Sequence, residues 1–126
     1  MATMRFKRAL CALHDEGFPY VLDVVARTAD EYRRREDRHV AVCGLLSSLK
    51  DDVVDALHVV MYEGRDEYLD GCPFVGDGVD KEFGEMWFHL KMDSESFARE
   101  CMWEKLPLGE YLRRGAYMFG LGGERQ

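Results

Sequence analysis

Met86-Trp87-Phe88-His89-Leu90-Lys91-Met92 is the stretch on which the fold class turns. Met86, Phe88, Leu90 and Met92 alternate with Trp87, His89 and Lys91, the period of two that sends successive side chains to opposite faces of a strand. The first set reads as a core face and the second as a half-polar one. Before it, Gly64, Gly71, Pro73, Gly76, Gly78 and Gly84 punctuate a single stretch, so Gly64 to Gly84 reads as the main irregular segment, with one short strand near Tyr68 or Phe74. The sequence therefore implies a helix-rich α+β domain, with four or five helices packed on a small antiparallel sheet that includes residues 86–92.

Outward from that stretch the apolar periodicity is helical. Phe6, Ala9, Leu10 and Leu13 predict a first helix over about residues 3–15, stopped by Gly17 and Pro19. Val21, Val24, Val25, Thr28 and Tyr32 predict a second, and Val42, Leu45, Leu46 and Leu49 a third, weakened by Gly44 and Ser47-Ser48. Asp51 and Asp52 suit the N-terminus of a fourth that carries Val53, Val54, Leu57, Val60 and Met61. Its β-branched run also fits a strand, and the helix is the favoured reading. Downstream, Asp93 or Ser94 caps a helix with Phe97, Ala98, Cys101 and Met102 on one face, ended by Pro107. A last helix covers about residues 108–119, and the tail 120–126 is expected to fray.

At 126 residues, with 47% hydrophobic and 33% charged side chains, the chain fits one globular domain over 1–126 and is far from a disordered composition. No apolar run has the length of a membrane span, and the basic start runs into His14-Asp15-Glu16 too soon for a signal peptide, so a cytoplasmic protein without a membrane partner is expected. Cys11, Cys43, Cys72 and Cys101 are widely spaced and read as reduced thiols rather than a disulfide framework.

The charge is regional. Asp51 to Glu85 holds eleven acids against two bases, a local charge of −9 in a chain whose total is −7. Asp51, Asp52 and Asp55 are explained by the helix they begin. The remaining acidity lies in the glycine-rich segment 63–85: Glu63, Asp66, Glu67, Asp70, Asp77, Asp80, Glu82 and Glu85, interleaved with Tyr68 and Phe74. Such a surface either simply keeps a protein solvated or engages a basic site on another protein. The functional expectation is a non-enzymatic protein-binding or regulatory module, an inhibitor among the options, whose acidic segment meets a partner with a basic surface, with no cofactor.

Two other readings compete. Arg33, Arg34, Arg35 and Arg38 form a basic run that suits a small nucleic-acid-binding regulator, together with the strand, helix and helix of the C-terminal third. That order resembles the ribbon-helix-helix DNA-binding modules, whose paired strands enter the major groove. The interval before the second helix is about a turn short and the region is electrically neutral, so the family is not assigned. A Cys- or His-dependent enzyme is the third reading, although no Gly-x-Ser-x-Gly or comparable signature is present. Cys11-x-x-His14 and His39-x-x-x-Cys43 form a weak candidate zinc set, since each pair shares a helix face.

Overall fold

Seven α-helices and a 3-10 turn, with no strand, account for the regular structure of the described residues, 3–66, 72–94, 98–105 and 107–121 of the computed structural model. The helices are α1 (Met4–Leu13), α2 (Phe18–Glu31), α3 (Arg35–Ser47), α4 (Asp51–Asp66), α5 (Asp77–His89), α6 (Ala98–Cys101) and α7 (Leu108–Met118), with the 3-10 turn Met102–Glu104 joined to α6. Among the described residues no helix is long and apolar enough to cross a membrane.

The α+β expectation with its antiparallel sheet is overturned, and 86–92 is where it fails: this segment is the last turn of α5 and the loop that closes it. Phe83, Met86 and Trp87 are buried and Leu90 half-buried, which is the i, i+3, i+4, i+7 spacing of a helix. Phe88, placed on the core face by the alternation, is 84% exposed. Met92 is buried because the chain reverses there. The Lys91 N–H bonds the Phe88 carbonyl at 3.0 Å and the Met92 N–H the Trp87 carbonyl at 3.2 Å. This is a Schellman closure, with buried Met92 supplying its apolar contact. Seven residues are too few to separate a period of two from one of 3.6 when an exposed Phe and a post-helical Met happen to fill the gaps.

The glycine-rich stretch also resolves differently from its reading as a loop. Gly64 lies inside α4, and Gly78 and Gly84 inside α5. The irregular residues 72–75 lie between, and Phe74 donates its N–H to the Met118 carbonyl at 2.8 Å, fastening this strap to the end of α7. The short strand expected near Tyr68 lies outside the described residues, and residues 72–75 around Phe74 form no strand. Of the helix expected after Ser94, the described residues show the turn α6, Phe97 lies outside the described residues, and of the tail only Gly120 and Leu121 are described.

α4 is the axis of the core. Val54 through Met61 are buried without interruption, because α7, α1 and α5 cover different sides of it. α7 lies against both α4 and α2 and depends on small residues to do so. A Cβ on Gly64 would fall on the Tyr111 carbonyl, one on Gly115 on the Val60 carbonyl, and one on Gly109 on Asp30 and the Ala26 carbonyl. The glycines therefore set how closely these helices cross, and a side chain there would force them apart.

Polar fasteners tie the layers together. Thr3 accepts the Phe6 N–H as the N-cap of α1 and donates its hydroxyl to Asp93 at 2.7 Å. Arg5 donates to both carboxylate oxygens of the buried Asp55 at 2.9 and 3.0 Å, and to the Met92 carbonyl at 2.5 Å. One guanidinium thus joins α1 to α4 and to the loop after α5. Arg99 of α6 donates to the Leu46 carbonyl and, at 2.9 Å, to that of Leu49, capping α3, and reaches Asp51 at 2.5 Å. Its hydrogen bond and charge hold the Asp51 carboxyl below the usual carboxylate range.

Candidate functional site

α5 begins where Gly76 takes φ = 55°, a left-handed value that favours glycine, so that the chain turns out of the strap into the helix. Asp77 and Asp80 in its first turn complement the positive end of the helix dipole. Inward, Phe83 and Trp87 meet Phe6 of α1 with ring centroids 5.9 and 5.5 Å apart, and Phe83 meets Phe119 at 6.1 Å. A Cβ on Gly84 would meet the Phe6 ring at 3.6 Å, an ordinary contact distance.

Outward, Asp77, Lys81, Glu85 and Phe88 follow one another at helical spacings of four, four and three residues, so they share one face, and all four are exposed. Asp80 flanks this row and is tied to His14 of α1 at 2.6 Å. Phe88 at 84% and Val75 at 79% are the two most exposed large apolar side chains among the described residues; Phe88 ends the row, and Val75 precedes the helix. Beyond Phe88 lies a cleft of about 560 Å³, walled by Trp87, Phe88 and Met92, with Lys91, Asp93 and Ser94 at its rim. The indole N–H of Trp87 is buried and has no acceptor among the described residues.

The acidic segment read from sequence is thus divided. Asp77, Asp80 and Glu85 stand on the surface of α5, while Glu82 is half-buried. Asp66 is exposed at the end of α4 and pairs with Arg65 at 2.6 Å. Glu63 is 0% exposed, inside α4, and faces no solvent. Phe74 is half-buried against Phe119, with centroids 5.5 Å apart, and belongs to the core's edge. Glu67, Tyr68 and Asp70 lie outside the described residues.

The basic run is divided in the same way. Arg38 is 3% exposed and donates to the Trp103 carbonyl at 3.2 Å and the Arg33 carbonyl at 3.4 Å. Arg35 lies over the Trp103 ring at 4.8 Å, and His39 stacks on it at 4.0 Å. These side chains hold the 3-10 turn against α3. Arg33 and Arg34 remain at the surface with Glu36 and Asp37 beside them. With no strand at 86–92, the strand, helix and helix order of the nucleic-acid reading also goes.

Cys11, His14, His39 and Cys43 are not brought together: His14 is engaged by Asp80 and His39 by Trp103, and among the described residues no three His, Cys, Asp or Glu side chains gather as a metal site requires. Burial pushes the Cys43 and Cys101 thiols up, opposite to the activation of a thiolate nucleophile. His58 is buried on α4, edge-on to Tyr62 at 5.1 Å, and its Nδ1 has no partner among the described residues. Burial, aided by Lys105 and Arg5 and opposed by Asp55, pushes its pKa down to about 4. A cleft of about 270 Å³ lies beside Arg5 and Arg99, but both guanidiniums are already spent on Asp55 and Asp51.

Sequence reasoning missed Phe88, Val75 and Lys81 as surface groups. The signal was present in the helical spacing of Phe83, Met86, Trp87 and Leu90, which leaves Phe88 facing outward. Compared with known proteins, the chain matches no family model, and no curated protein or solved structure shows a match to it.

Proposed function

We propose that this chain is a non-enzymatic protein-binding module, a regulator or inhibitor that engages a basic surface of its partner through the outward face of α5. The observation that carries the reading is the exposure of Phe88 at the end of a row containing Asp77 and Glu85, beside Asp80. Acids alone need no partner, since they solvate a surface. An aromatic ring held in water at one end of a row whose two acids outnumber its one base is a different case, because burying it on a partner recovers about 1.5–3 kcal/mol, and aromatic side chains at the centre of a contact tend to dominate its energy. The carboxylates would speed the encounter and make it salt-sensitive. Contact area, rather than charge alone, would then set the lifetime of the complex.

The test is affinity capture with mass spectrometry at low and high salt, using the wild-type chain, Asp77→Lys/Glu85→Lys and Phe88→Ala. All three positions are exposed, so circular dichroism should find the fold unchanged. A partner with a basic surface, held at low salt and lost from both variants, is the expected result. If both variants retain every partner that the wild type captures, the reading is wrong.

A further inference from the structure

Resting on that reading, we infer that the occupant of this face is a basic amphipathic helix, laid along α5 with one bulky apolar side chain seated in the cleft between Trp87, Phe88 and Met92. The cleft, at about 560 Å³, has apolar walls and room for a leucine, methionine or phenylalanine side chain, and nothing else in the described chain fills it. Trp87, whose indole N–H has no acceptor among the described residues, forms one wall.

The row leading to the cleft is a helix ridge. Asp77, Lys81 and Glu85 succeed one another at intervals of four, and rows of this kind fit the grooves of a second helix. From Asp77 to Phe88 the face runs roughly 16 Å, at about 1.5 Å per residue, which matches about three turns of a partner helix. Asp77 and Glu85, which outnumber Lys81 in the row and have Asp80 beside them on His14, call for lysine or arginine flanking the apolar stripe.

Other occupants fit less well. A peptide that binds as an added strand needs a sheet edge, and the described residues contain no strand. Nucleic acid would bring phosphates against the carboxylates. A second copy would set the same acids against themselves.

The probe is an 18-residue peptide of leucine and lysine with leucines at i, i+3, i+4 and i+7, titrated calorimetrically into the full chain. A scrambled peptide of identical composition is the control. The patterned peptide should bind at least tenfold more tightly than the scrambled one and gain helical circular dichroism on binding. Phe88→Ala should lose at least tenfold of that affinity, and Asp77→Lys/Glu85→Lys should lose it for both peptides. Equal affinity for the two peptides, with the charge-reversal variant still losing both, overturns the helix and leaves the acidic docking face standing. Binding of neither peptide, or binding indifferent to charge reversal, overturns the docking face itself and the inference with it. Phe88-dependent self-association of the chain alone, measured by sedimentation, would replace the helix by a second copy and also overturn the inference.

Discussion

Lys91 holds φ at 55°, a left-handed conformation that costs an L-residue about 1 kcal/mol or more. It does so because the Schellman closure after α5 needs a left-handed residue one position past the C-cap. Lys91→Gly should therefore raise stability by about 1 kcal/mol, an increase of about 3–5 °C in Tm for a domain of this size. A thermal scan in which Tm falls would contradict that assignment of strain. His58 is a second residue whose cost is set by its surroundings. Below pH 6.5 the unfolded chain takes up a proton on this imidazole, which the folded chain refuses until about pH 4. Stability drawn from His58 is thus intact above pH 6.5, declines as the pH falls towards 4, and changes no further below that. The loss is on the order of 2–3 kcal/mol over the window. In His58→Phe the drop in unfolding free energy between pH 7 and pH 4, measured by urea titration, should shrink by that amount. An unchanged drop would mean that other groups cause it. Neither Lys91's backbone angle nor the burial of His58 is written in its neighbours' sequence, since both follow from where α5 and α4 end up.

At the scale of elements, the glycines divide into two kinds that look identical in sequence. Gly64, Gly109 and Gly115 lie where one helix touches the backbone or a side chain of another, whereas Gly44 sits on the exposed side of α3 with nothing near its missing Cβ. Gly115→Ala should destabilise by roughly 3 kcal/mol or more, because a backbone carbonyl cannot step aside. Gly44→Ala should stabilise by about 0.8–1 kcal/mol, the difference in helix propensity between the two residues. Denaturant midpoints of the two variants should move in opposite directions, and a loss of stability in Gly44→Ala would show that α3 is not helical there. Most helices were legible from apolar spacing: α1, α2, α3, α4 and α7 lie where the periodicity placed them, within a few residues at the ends. α5 was not, because Gly78 and Gly84 read as loop and because its last turn mimics a strand over seven residues.

Across the whole molecule, the buried side chains of every helix join in one hydrophobic cluster that contains both Trp87 and Trp103. A single core predicts a single cooperative transition. Trp87→Phe and Trp103→Phe each leave one indole, one reporting from the α1–α5 layer and the other from the 3-10 turn against α3. In each variant the fluorescence midpoint in urea should coincide with that of far-UV circular dichroism. Separation of the two midpoints would mean that the α6 and 3-10 region unfolds independently of the helices around α4.

What the sequence determined by itself is the regional acidity, the apolar periodicity of five helices and the absence of a local catalytic or ligand signature, since these depend only on which residues stand at which spacing. What the tertiary structure decided is the use made of those residues. It buried Glu63 and Arg38, which composition alone assigned to the surface, and it turned Phe88 outward, which alternation alone assigned to the core. The physical reason is that burial is set by which neighbours cover a position. α7 could approach α4 closely only through Gly64 and Gly115, and Trp103 needed Arg35, Arg38 and His39 around it. α5 could pack Phe83 and Trp87 on Phe6 only by presenting Asp77, Lys81, Glu85 and Phe88 to the solvent.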